Sequence, residues 1–238
     1  MKVIKVNGYS ELSKRVCDFL IKDILRKPNI VIGFATGDTP LGLYKCLVGS
    51  YKKKKVDFSK IKSFNLDEYY PMRKSDKHSY YYYMFKNLFS KINIKVKNVN
   101  FLDGETRNPK RECERYEKLI RKSKIDVQIL GVGVNGHIGF NEPGSDFTSK
   151  TRIVNLTQNT LKQNSKLFKF KKNIPKKALS MGIKTILSAK KIILLVSGKD
   201  KADAVKCLIK GKIDKNCPVS ILRKHKNLII IVGKEVLK

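Results

Sequence analysis

His137 and Glu142 stand five positions apart, and Asn135 and Asn141 flank them. A histidine titrates near neutral pH, and an acidic neighbour can orient and tune its ring, so this pairing suits proton transfer. The histidine lies within GVGVNGHIGFNEPG, residues 131–144, where the glycines give it little steric protection; a purely structural loop histidine is the plainer alternative. A second titratable element is Asp67 with Glu68. Adjacent residues leaving a strand project to opposite sides, which predicts one carboxylate facing a pocket while the other pairs elsewhere. The chain has 20 acidic residues against 52 basic ones, so acids at a strand end are less readily incidental, although a surface acidic turn is also consistent with them.

The third element is TGDTP, residues 36–40. Thr39 suits an N-cap and Pro40 a first helical position, so a helix beginning there would turn its unpaired amides and positive dipole end toward the loop. Gly37 permits a tight path, and the hydroxyls of Thr36 and Thr39 add donors for a phosphate. An ordinary capped turn explains the same residues. Asp38 would repel phosphate if it faced inward, so it must point away or bind something else. Gly131, Gly133 and Gly136 satisfy the dinucleotide fingerprint GxGxxG, but Pro143 and Gly144 interrupt any following helix, and residues 150–160 contain no acid for a ribose. No nicotinamide or flavin is expected there.

Short Val- and Ile-rich runs alternate with amphipathic segments along the chain. Strands are expected at 3–6, 30–35, 61–66, 98–102, 125–130, 152–156, 191–197 and 228–232. Helices are expected from Ser10 as a cap, from Pro40, over 79–89, from Pro109 to about 122 and over 200–210, with 157–190 mostly helix and loop. This is the pattern of an α/β fold: a single-domain, mainly parallel sheet flanked by helices on both faces, Rossmann-like but without a dinucleotide, spanning residues 1–238. In such a sheet ligands bind at the carboxyl ends of strands. Residues 36–40, 67–68, 131–144 and 198–201 all fall at such ends, and their agreement in position weighs more than any one of them.

A chain of 238 residues with 41% hydrophobic residues can bury a full core, which excludes a disordered basic tail. The formal charge of +32 invites a nucleic-acid partner, but 43 of the basic residues are Lys and only 9 Arg, spread evenly. Base edges and phosphate forks favour the planar guanidinium, so the charge reads mainly as a solvated surface that attracts anions, with no specific nucleic acid. Five cysteines (17, 46, 113, 207, 217) form no CxxC pair, pointing to reduced thiols in a cytoplasmic protein. No segment is long and apolar enough for a signal peptide or a membrane span.

Together, FNLDEY (64–69), HSY (78–80), GVGVNGHIGFNEP (131–143) and TGDTP (36–40) resemble the glucosamine-6-phosphate deaminase family, also called glucosamine-6-phosphate isomerases, in order along nearly the whole chain. The related 6-phosphogluconolactonases share a phosphate loop and a GxGxDGH start, but usually continue as HTASLFP. The resemblance implies conversion of glucosamine 6-phosphate and water to fructose 6-phosphate and ammonia, with no metal or organic cofactor. Asp67 would be the base for the C2 proton, and His137 with Glu142 would open the sugar ring. Asn135 stands where many members carry Asp and others Asn; an amide cannot titrate, so ring opening would rest on the His137 and Glu142 pair. Phosphate would meet Thr36, Gly37, Thr39, Lys201 in GKDKA (198–202) and Lys166 in NSKLF (164–168), where many relatives have Arg and a bidentate fork. In allosterically regulated hexameric relatives a Thr-Arg-Ile-Lys segment helps to bind an activator. This chain reads TRIV at 151–154, which with its short C-terminus implies an unregulated monomer or low-order homo-oligomer. A lactonase-like sugar-phosphate hydrolase and a basic nucleic-acid-binding protein are the alternatives.

Overall fold

The computed structural model describes residues 1–157 and 175–237. Seven strands form one sheet in the order β1 (Lys2–Val6), β10 (Leu228–Gly233), β9 (Lys191–Val196), β6 (Val127–Leu130), β2 (Val31–Phe34), β3 (Lys62–Asn65) and β5 (Val99–Asn100). Every adjacent pair in it is parallel. Alternate side chains go to opposite cores. Ile193, Leu195, Ile229 and Ile231 pack with α1 (Tyr9–Arg26), α2 (Leu41–Lys52) and α3 (Tyr80–Asn87). Ile192, Leu194, Leu228 and Ile230 pack with α4 (Pro109–Ser123), α5 (Ile183–Leu187) and α6 (Ala202–Lys210). Both faces are covered, which is why the central strands are almost continuously apolar. Each such Leu or Ile, fully buried, contributes roughly 1.5–3 kcal/mol.

From β2 the chain moves outward to β3 and β5, whereas β6 returns to the other flank of β2 and leads on to β9 and β10. The loops leaving β2 and β6 therefore diverge between neighbouring strands, the place where an open parallel sheet makes a crevice.

A second sheet was not legible in the sequence. β4 (Asp67–Tyr70), β8 (Lys177–Ser180) and β7 (Arg152–Asn155) pair antiparallel in the order β4-β8-β7. Only Leu66 separates β3 from β4. Its N–H donates to Phe34 O at 3.2 Å and its carbonyl accepts from Met181 N at 2.8 Å, so the chain changes sheets at this residue. Asp67 and Glu68 thus open a strand instead of forming a turn, and 177–180, expected as helix or loop, is a strand as well.

Three local expectations are corrected. The cap of α1 is Gly8, not Ser10, and the Glu11 carboxylate reaches back to Asn7 N at 2.7 Å. At α2 the cap position falls on Pro40, not Thr39. There the Tyr9 hydroxyl, brought by α1, accepts from Gly42 N at 2.7 Å and donates to Asp38 O at 2.9 Å, supplying from another helix the capping that Thr39 was expected to give. The reduced-thiol reading also fails for four of the five cysteines: Cys17 is bonded to Cys46 and Cys207 to Cys217, while Cys113 is free and buried. Cys17 and Cys46 meet because α1 and α2 pack together, which spacing along the chain does not reveal.

Candidate active site

The loops after β2, β3, β6 and β9 enclose a cavity of about 470 Å³ at the carboxyl edge of the parallel sheet. It brings together Thr36, Gly37, Thr39, Asp67, His137 and Lys201. Lys166 lies outside the described residues. Asn135 and Glu142 stand behind the cavity wall and reach it through His137.

Asp67 is 6% exposed. Burial, with the neighbouring Glu68 charge adding to it, pushes its carboxyl up to about 8, as expected where water is replaced by protein around an anion. Glu68 points into the body and accepts from the amides of Tyr69, Tyr80 and Tyr81, each at 2.9 Å. Burial raises its carboxyl while these three donors favour the anion.

His137 is held by an amide relay. Its Nδ1 is 2.7 Å from Asn135 Oδ1, and Asn135 Nδ2 donates to Glu142 Oε2 at 2.7 Å; the direct His137 Nδ1 to Glu142 separation is 3.6 Å. The expected His137–Glu142 pair is therefore mediated: the carboxylate fixes the amide, and the amide oxygen accepts from the ring. This makes Nδ1 the protonated nitrogen and leaves Nε2 as the one able to exchange a proton. Gly133 allows the ring to seat, because a Cβ there would overlap ring atoms of His137. Asn141 anchors the same loop, donating to Ile138 O and Met181 O at 2.9 Å and accepting from Arg152 at 2.8 Å.

In the same cavity Gly37 takes a φ of 101°, a left-handed path open to glycine. The Gly37 carbonyl accepts from the Tyr83 hydroxyl and the Asp38 carbonyl from that of Tyr9, and Asp38, expected to point away, is among the residues that line the cavity. Lys201 follows Gly198 in a 3-10 turn, its ammonium 2.9 Å from Asp200. Sequence reasoning missed Tyr80 and Phe140, which also line the cavity with their rings stacked at 6.1 Å. Their only signal was membership of the quoted motifs. No helix follows β6 before residue 151, so a dinucleotide phosphate would meet no helix terminus there.

A cavity at the switch point, lined by a buried carboxylate, a histidine held by an amide relay, a strand-to-helix loop and a lysine, is that of an α/β enzyme equipped for proton transfer. The chain belongs to the glucosamine-6-phosphate isomerase/6-phosphogluconolactonase family, whose profile matches residues 7–231. It is 50% identical over 236 residues to the glucosamine-6-phosphate deaminase of Clostridium novyi (strain NT), covering 99% of this chain and 98% of that one. It is 49% identical to that of Clostridium botulinum (strain Okra / Type B1), covering 99% and 97%. A solved monomeric glucosamine-6-phosphate deaminase shares 40% identity with a TM-score of 0.96, covering 99% of this chain and 98% of its own. The 6-phosphogluconolactonase of Thermotoga maritima, at 20% identity and a TM-score of 0.77, shares the fold.

Proposed function

We propose that the protein converts glucosamine 6-phosphate and water to fructose 6-phosphate and ammonia, as a single domain over residues 1–238. The observation that carries this reading is that one cavity brings Asp67 and His137 together with the 36–39 loop and Lys201. Ring opening moves the proton of the C1 hydroxyl away and delivers one to the ring oxygen, work suited to an imidazole with a fixed tautomer. Asp67 then takes the proton from C2 and returns one to C1, passing through an enolamine. Water adds to the resulting ketimine, and ammonia leaves.

The buried carboxylate favours this over the lactonase alternative. Hydrolysis of a lactone needs one general base, for the attacking water, which His137 could supply, whereas the isomerisation also needs a base for the carbon-bound C2 proton. Close similarity to a monomeric deaminase supports a monomer. A cytoplasmic site of action follows from a sugar-phosphate substrate, although the two cysteine pairs are unusual for a reducing compartment. Among the described residues no helix is long and apolar enough to cross a membrane.

The test is ammonia release over a panel of amino-sugar phosphates, set beside hydrolysis of 6-phosphogluconolactone. Release of ammonia from glucosamine 6-phosphate supports the reading; lactone hydrolysis without ammonia overturns it. In the same assay Lys201→Ala should raise KM about 10- to 100-fold with little change in kcat, since a charge-assisted phosphate contact is worth ~1.5–3 kcal/mol and acts equally on ground and transition states.

A further inference from the structure

We propose that Glu68 is a positioning residue for the proton transfer assigned to Asp67: one carboxylate ties the strand that carries the base to the first turn of α3 and sets Tyr80 against the cavity. The inference rests on the function proposed above and adds a residue that is not on the cavity wall.

The opening amides of α3 are fully accounted for. Glu68 Oε1 accepts from Tyr80 N and Oε2 from Tyr81 N, the Ser79 hydroxyl accepts from Tyr82 N at 2.9 Å, and Tyr83 N begins the helical ladder on Ser79 O at 3.0 Å. An anion at a helix N-terminus is favourable, and the same Oε1 also holds Tyr69 N on its own strand. At 2% exposure the carboxylate is shielded from bulk water. The tie fixes Tyr80, whose hydroxyl donates to the Tyr69 hydroxyl at 3.1 Å and whose ring stacks on Phe140, so the aromatic side of the cavity depends on Glu68.

The second consequence is charge. Glu68 is the neighbour of Asp67, and the two side chains share a buried environment. The titratable groups whose charge acts on this pair are Tyr80 from α3, Asp76 from the preceding loop and Tyr116 from α4. His137 and Lys201 line the same cavity as Asp67. The strand paired with β4 places only Ser180 and Leu179 opposite Asp67 and Glu68. Among the described residues no ion pair is made to Glu68, and its negative charge opposes ionisation of Asp67.

The experiment is a carbon-13 titration of the Asp67 carboxyl, assigned by its loss in Asp67→Asn, in wild type, Glu68→Gln and Glu68→Asp, alongside pH–rate profiles. In Glu68→Gln the Asp67 midpoint should fall by about one pH unit, and the acid limb of ammonia release should move with it. In Glu68→Asp, where the charge stays but the carboxylate no longer reaches the amides, kcat should drop about tenfold or more while the midpoint stays near wild type. A purely structural residue would lower the melting temperature without moving any midpoint. An unmoved midpoint in folded Glu68→Gln, or wild-type kcat in Glu68→Asp, overturns the proposal; if Glu68→Gln does not fold, Glu68→Asp decides alone. The titration needs no turnover, so a shifted midpoint in a protein that releases no ammonia keeps the Glu68–Asp67 coupling and removes the function proposed above.

Discussion

Asp67→Asn should abolish ammonia release and, at pH 8, make the protein harder to unfold. Removing a positioned base is expected to cost about 10²–10⁴ in kcat, and the amide cannot substitute because it does not accept a proton at these pH values. The stability gain follows from burial. The Asp67 carboxyl is raised from 3.8 to about 8 in the fold. Between those values the native state binds a proton that the unfolded chain has released, so stability declines as pH rises through the window and is greatest below it. A neutral amide escapes that loss, by an amount on the order of a few kcal/mol at pH 8. For a chain of this size each kcal/mol corresponds to about 2–4 °C in Tm. The variant should therefore melt several degrees higher at pH 8, and the difference should shrink steadily toward pH 4. The same titration predicts that wild-type kcat/KM falls as pH drops below about 8, because the protonated acid cannot take the C2 proton. Equal melting curves at pH 8, or an active variant, would refute the assignment.

His137→Gln should show the opposite combination, a large kinetic defect without a thermal one. The ring is 29% exposed and is held by Asn135, so its loss removes little packing. Glutamine can still bond to Asn135, but it neither gives nor takes a proton, and turnover should fall about 10²–10⁴-fold with KM largely kept. Measuring kcat, KM and Tm on one preparation checks all three. A variant that melts far below wild type would show that the loop's rigidity, not proton transfer, needs the ring.

The parallel sheet was readable because its strands carry their own signal: 192–196 and 228–232 are apolar at every position, as burial on both faces requires. The antiparallel sheet was not, because DEYY at 67–70 and KALS at 177–180 carry no such run and acquire strand geometry from pairing with each other and, for 177–180, with β7. In the candidate site the chemical groups could be named from residue type, whereas their connections could not. Nothing in the spacing of Asn135, His137 and Glu142 says that the amide sits between ring and carboxylate. Likewise Tyr9 capping α2 is a contact across 33 positions that no local pattern announces.

The one-residue joint at Leu66 has a consequence for biogenesis. The strand that carries Asp67 finds its partner in residues 177–180, more than a hundred positions later. During synthesis, β2 and β3 can emerge and pair well before that partner has left the ribosome. A nascent chain can thus hold a partly native scaffold while its base still lacks a fixed position, and catalytic competence arrives as one late event. Pulse-labelled chains released short of residue 177 would be folded in part and inert throughout.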